Sequence, residues 1–164
     1  MPVFANQKMI RIDLKYGSVY IELYPSKAPM HVQRIIDLAN DGFYDGLYFH
    51  RVIDGFIAQT GDPKGDGTGR SKFPNLEPEF NDIKHVKGIV SMARASDPAS
   101  ANSQFFIMLG DAPHLDENYT VFGKVIKGME FVEMIKIGDK KENGKVKNPD
   151  RILSMKVVDD FEEN

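Results

Sequence analysis

A chain of 164 residues, 41% hydrophobic and 27% charged, holds enough apolar material for one sizeable core, and a single domain over residues 1–164 is expected. The net charge of −3, with 21 Lys and Arg scattered rather than clustered, speaks against a nucleic-acid binder, which needs a basic stripe. Cysteine is absent, so disulfides and thiolate catalysis are excluded; residues 1–7 lack the features of a signal peptide, and no stretch approaches the roughly 18 apolar residues of a membrane span, so a cytoplasmic protein is expected.

In chain order, Met9–Leu14 and residues 18–23 alternate in polarity on either side of Lys15-Tyr16-Gly17, which predicts a β-hairpin. Val32, Ile35, Ile36 and Ala39 then fall at helical spacing, with Ser26 as the expected upstream cap, Pro29 in the first turn and Gly42 as the stop. Residues 48–53 and 56–60 read as two strands around the tight turn Asp54-Gly55. The connection over residues 62–87 is long, rich in Gly and Pro, and therefore expected to be functional. Further strands are predicted over 88–93, 104–109, 120–125 and 152–158, and a short helix over 129–136 stopped by Gly138. About eight strands and two helices make an all-β (mainly β) barrel or sandwich with helical caps, and the strand count alone does not separate the two.

Most candidate chemistries fail on spacing. His31, His50, His85 and His114 share no zinc-type spacing. Gly65-Asp66-Gly67-Thr68-Gly69 lacks the Gly-Lys-Ser/Thr of a phosphate loop and reads as a flexible turn. A calcium loop from Asp62 would place Lys64 and Phe73 where oxygen ligands belong. Asn118-Tyr119-Thr120 matches the glycosylation triplet, and with no secretory signal expected it reads as a chance match. Glu77, Glu79 and Asp82 read as solvated loop charges rather than a glycosidase pair. No Gly-x-Ser-x-Gly elbow supports a Ser–His–Asp triad.

Two segments are different in kind. Side chains alternate across a strand, so Arg51 and His50 face opposite ways, and Arg51 and Gln59 are displayed among Phe and Ile on neighbouring strands. In Ser103-Gln104-Phe105-Phe106-Ile107-Met108, Gln104 and Phe106 share one face while Phe105 and Ile107 share the other. The plain alternatives are an Arg51 that merely snorkels over apolar neighbours and a strand wholly buried in the barrel.

These segments resemble the cyclophilin family. The resemblance runs through Phe49-His50-Arg51-Val52-Ile53-Asp54-Gly55-Phe56-Ile57-Ala58-Gln59-Thr60-Gly61-Asp62, Gly67-Thr68-Gly69, Ser91-Met92-Ala93, Asn102-Ser103-Gln104-Phe105-Phe106-Ile107, and Leu115-Asp116 leading to Val121-Phe122-Gly123-Lys124-Val125. It covers nearly the whole chain and is closest to compact, bacterial-like members. It implies a closed eight-stranded antiparallel β-barrel capped by two α-helices, and a cofactor-free, metal-free, non-covalent peptidyl-prolyl cis–trans isomerase that assists protein folding. The implied catalytic residues are Arg51, Gln59 and Phe106; substrate-binding residues are Phe56, Ile57, Gly67, Ala93, Arg94, Ala95, Gln104, His114, Leu115 and Tyr119. Phe106, Ile57, Phe56 and Leu115 would hold the proline ring, the Arg94 backbone would pair with the peptide, and Gln59 would hold both the peptide and Arg51.

Four positions depart from the commonest eukaryotic pattern: His114 stands for Trp, Tyr119 for His, Arg94 for Asn and Ile57 for Met. The expected partners are proline-containing peptides and unfolded or folded client proteins, with cyclosporin bound weakly because His114 has no indole. A monomer that binds neither nucleic acid nor membrane is expected. The competing readings are a non-catalytic proline-peptide binding module and a lipocalin-like ligand barrel with a hollow interior.

Overall fold

The computed structural model describes residues 8–161; residues 1–7, read above for a leader, lie outside them. The first hairpin pairs β1 (Met9–Leu14) with β2 (Gly17–Leu23), Leu14 opposite Gly17, across Lys15-Tyr16. The other strands are β3 (Arg51–Ile53), β4 (Ile57–Thr60), β5 (Ile89–Met92), β6 (Phe105–Met108), β7 (Val121–Lys127) and β8 (Ser154–Val158). All eight form one antiparallel sheet in the order β3-β4-β6-β5-β7-β2-β1-β8. The sheet curls until its two edges meet just outside the strands proper. There the Phe49 N–H donates to the Asp150 carbonyl at 2.9 Å and the Ile152 N–H to the Leu47 carbonyl at 2.8 Å. Closing the edge in this way leaves little unpaired backbone to template aggregation.

The interior is filled, not hollow. Ile10, Ile12, Val19, Ile21, Val52, Ala58, Val90, Phe105, Ile107 and Phe122 belong to one buried cluster, every second residue of each strand contributing. A second cluster lies on the outer face of β4, β5 and β6 and contains Ile57, Ile89, Phe106, Met108, Leu115 and Val121. Strand β6 is therefore buried on both faces, and the alternation of its side chains decides which cluster each joins.

Helix α1 (Pro29–Asn40) buries Val32, Ile35, Leu38 and Ala39, the stripe expected from their spacing. Ser26 does not cap it. The first turn is capped from the long 62–87 connection, where the Glu79 carboxylate accepts the N–H groups of Met30 (3.1 Å) and His31 (2.8 Å) and the His31 ring Nδ1–H (2.6 Å). Glu79 is thus not a free loop charge: a carboxylate satisfies amide donors left over at the helix start and complements the dipole there. At the far end Gly42 takes φ +72° and the Phe43 N–H returns to the Leu38 carbonyl at 3.0 Å, a Schellman stop. The second helix is shorter than expected. Helix α2 (Met129–Val132) is a single turn, after which Met134 and Ile135 bond three residues back and the Lys136 N–H is taken by the Asp150 carboxylate at 2.8 Å.

Candidate active site

Strand register builds the site. Arg51 on β3 lies opposite Gln59 on β4, Gln59 lies opposite Phe106 on β6, and Phe106 lies opposite Ser91 on β5. Directly opposed residues share a face with Cβ atoms about 5 Å apart, so residues far apart in sequence form one outward-facing row. Arg51 and Gln59 are thereby fixed side by side without any loop having to place them.

Arg51 is half-buried and gripped on several sides. Its Nη1 donates to Gln59 Oε1 at 2.9 Å, its Nε to the Asn143 carbonyl at 3.0 Å and its Nη2 to Asn143 Oδ1 at 3.1 Å. Gln59 passes the chain of bonds on, donating to Gln104 Oε1 at 3.0 Å, and Gln104 donates to the carbonyls of Gly67 (3.1 Å) and Gly69 (2.9 Å). Each amide orientation follows from its neighbour's, since the guanidinium can only donate. Burial pulls the Arg51 pKa down from its very high ordinary value, the Tyr119 hydroxyl opposing; the group stays charged at neutral pH.

Beside this polar row lies a groove of about 280 Å³ whose lining brings Arg51 and Gln59 together with Phe56, Ile57, Phe106, His114, Leu115 and Tyr119. Its walls are ordered by ring contacts. Tyr119 meets Phe106 edge-on at 5.9 Å, and His114 stacks on Phe56 at 5.8 Å. Behind Phe106 the buried His85 ring stacks at 6.2 Å, its Nε2 bonded to Ser91 Oγ at 2.9 Å and its Nδ1 to Asp116 at 3.1 Å. Ser91, His85 and Asp116 thus have the connectivity of a hydrolase triad, but Ser91 is fully buried, so its hydroxyl meets no substrate. What the trio does is hold the floor on which Phe106 rests. Burial lowers the His85 pKa against the opposing pull of Asp116.

A second pocket of about 240 Å³ continues from the groove through Gln59, Ala93 and Arg94 and takes in Gly67, Ala95 and Gln104. Every residue assigned from the resemblance therefore lies on one continuous surface. Arg94 carries its main-chain N–H and carbonyl unpartnered among the described residues, while the flanking Ala93 N–H is held by the Gln104 carbonyl and the Ala95 N–H by Ser100 Oγ. Its side chain does more than the backbone reading allowed: the guanidinium lies 4.5 Å over the Tyr119 ring and donates to the carbonyls of Asn118, Ala95 and Ser96.

The Gly67 loop is not loose. Buried Asp62 accepts from the N–H groups of Lys64 (2.7 Å), Asp66 (3.1 Å) and Gly67 (2.5 Å). A Cβ on Gly69 would sit 2.0 Å from the Asp62 carboxylate, so only glycine fits. Sequence reasoning missed Asn143, His85 and Ser91. Asn143-Gly144 was legible as a turn, with positive φ at both residues, but nothing in the spacing tied it to Arg51, 92 residues away.

The comparisons with known proteins place nearly the whole chain in one family. Residues 9–157 match the family model described as cyclophilin type peptidyl-prolyl cis-trans isomerase/CLD. The chain is 48% identical over 165 aligned positions to a protein of Brucella suis described as a probable peptidyl-prolyl cis-trans isomerase, covering 94% of this chain and 84% of that one. It is 47% identical over 124 positions to peptidyl-prolyl cis-trans isomerase B of Bacillus subtilis, covering 75% of this chain and 86% of the relative. Among solved structures, a cyclophilin type isomerase of Cryptosporidium parvum, crystallised in the presence of the dipeptide Ala-Pro, superposes with a TM-score of 0.83 at 34% identity, covering 92% of this chain and 98% of that one. With its curled eight-stranded sheet, its two helices and its row of Arg51, Gln59 and Phe106, the chain belongs to the cyclophilin-type peptidyl-prolyl cis–trans isomerases.

Proposed function

We propose that the groove between Arg51 and Phe106 is where isomerisation occurs, with Arg51, Gln59 and Phe106 as its catalytic residues. The observation that carries this reading is a charged, firmly held guanidinium beside a groove walled by Phe56, Ile57, Phe106 and Leu115. Rotation about an X–Pro bond is slow because it breaks amide resonance, with a barrier of about 18–20 kcal/mol. In the twisted transition state the proline nitrogen is pyramidal and its lone pair is free to accept a hydrogen bond. A donor fixed beside that nitrogen binds the twisted state better than either planar one, which is the requirement for catalysis. Arg51 is that donor, and its anchors at Gln59 and Asn143 mean that little reorganisation is needed when the bond forms.

Phe106, Ile57, Phe56 and Leu115 hold the ring, and the free main-chain groups of Arg94 pair with the peptide beside it. Gly67, Ala93, Ala95, Gln104, His114 and Tyr119 line the path of the flanking residues. No step needs a cofactor, a metal or proton transfer. The substrates are proline-containing peptides and segments of client proteins, as the Ala-Pro dipeptide used with the Cryptosporidium structure suggests, and the protein works as a single-domain monomer in the cytoplasm. Exchange NMR on a short X–Pro peptide, with and without the protein, tests the reading: accelerated cis–trans exchange supports it, and line shapes that report binding without acceleration leave only a proline-peptide binder.

A further inference from the structure

The second pocket, the one that opens past Gln59, Ala93 and Arg94, has a lining that includes Arg70 and Arg94 and no carboxylate. With Arg51 in the adjoining groove, three arginines line one continuous surface, and no Asp or Glu lines either part of it. In a chain whose net charge is −3, that concentration of positive charge is local to this surface.

Neither arginine of the second pocket is neutralised. Among the described residues neither lies within ion-pair distance of a carboxylate. Arg94 is held by backbone carbonyls and by the Tyr119 ring, which fix its position but leave its full charge. Arg70 has one long contact, 3.5 Å to the amide oxygen of Asn75, and is otherwise exposed. The carboxylates on the neighbouring loops are engaged locally or line other hollows, and Asp97, on the loop beside Arg94, accepts the Ala99 N–H at 2.9 Å. Asp66 folds back on the N–H and hydroxyl of Thr68 and lines the hollow on the other side of Arg51, together with Glu142; Asp41 lines a separate hollow on the far side of Arg70.

We propose that this part of the peptide path prefers a carboxylate side chain, Asp or Glu, a few residues from the proline, with Arg94 as the pre-positioned cation and Arg70 as the exposed one. The proposal rests on the neighbouring groove being the place of isomerisation. A peptide carboxylate there meets two guanidiniums that have no carboxylate partner among the described residues, at a surface partly screened by water, where each such pair is worth little alone and the two together give a modest selection. A lysine at the same place meets only like charge. The selection acts on binding, because the subsite is remote from the twisting bond and treats planar and twisted states alike.

The test uses the intact protein and a set of short X–Pro peptides identical except for Glu, Gln or Lys at each of the three positions before the residue preceding proline and each of the two positions after it. Kd is read from NMR shift titration and kcat/KM from exchange. At one of these positions the Glu peptide should bind about 3- to 10-fold more tightly than the Gln peptide, and Lys more weakly, with the difference in KM rather than kcat. The Glu/Gln ratio should fall towards one in 0.5 M salt and should shrink in Arg70→Gln, Arg94→Gln and most of all the double variant. Equal affinities for Glu, Gln and Lys at every position overturn the subsite while leaving turnover intact. Loss of the isomerase reading looks different, because then no peptide shows accelerated exchange although the titrations still rank the three side chains.

Discussion

Replacing Arg51 by alanine separates what this residue contributes to catalysis from what it contributes to the fold. In the structure the guanidinium bonds to Gln59 Oε1 and to both oxygens of Asn143. The Asn143 acceptors are exposed and regain water in the variant. Gln59 is 9% exposed and loses a partner, a cost of about 1 kcal/mol, which for a chain of this size lowers Tm by about 2–4 °C. The catalytic loss is larger. A charged donor held in place for a transition state in which the nitrogen is pyramidal is worth about 3–4 kcal/mol, so kcat and kcat/KM should fall together by roughly two to three powers of ten. Peptide affinity should change far less, because a planar amide nitrogen is a poor acceptor. Arg51→Lys should recover only part of the rate, since an ammonium cannot reach Gln59 and Asn143 in the same fork. Exchange NMR or a protease-coupled assay, run beside a thermal melt, measures both effects. Unchanged turnover in a folded Arg51→Ala protein refutes the mechanism.

Asn143→Gly keeps the backbone carbonyl and tolerates φ +57° but removes the bond to Nη2, so kcat should drop about 3- to 10-fold with KM little altered, and an Arg51→Ala background should abolish that effect; an equal loss in both backgrounds would show that Asn143 does not act through Arg51. His114→Trp, by adding a larger flat ring and an N–H donor at the rim, should tighten cyclosporin binding while changing small-peptide turnover modestly; an unmodified protein that already binds as tightly as the variant would contradict the rim argument. Burial lowers the pKa of His31, His50 and His85 alike, so the unfolded chain binds more protons than the native one once the pH drops below about 6.5. Stability should therefore be full above that pH and fall as the solution is acidified below it, by up to about 1.4 kcal/mol per pH unit for each histidine. Urea midpoints at pH 7.5, 6.0 and 5.0 check this, and a constant midpoint would contradict it. Turnover at pH 6 to 8 should be nearly flat, since no proton moves in the reaction; a bell-shaped profile that survives His50→Gln would expose an overlooked acid or base.

Much of this molecule is written locally. Alternation at residues 9–14 and 104–108, the stripe Val32, Ile35 and Ala39, and the stops at Gly42 and Asp54-Gly55 each express a preference that acts over a few residues, and each appears in the structure where expected. The same locality placed Phe105 and Ile107 in the core and Phe106 on the outer face. Some boundaries were misread because the deciding partner is remote: α1 is capped by Glu79 rather than Ser26, and past the single turn of α2 the chain is held by bonds three residues back and by the Asp150 carboxylate, which takes the Lys136 N–H.

The site divides in the same way. The pairing of Arg51 with Gln59 was legible because a hairpin's register follows from its turn, and the remaining candidate residues came from the family resemblance. What tertiary structure alone decided is which distant groups complete them. The grip of Asn143 on Arg51, the Ser91–His85–Asp116 trio beneath Phe106, and the meeting of Arg70 with Arg94 depend on how the sheet curls and where long loops return to it. A hydrogen bond or a charge contact is set by distance in space, and a chain's local preferences specify distance only across the few residues they span.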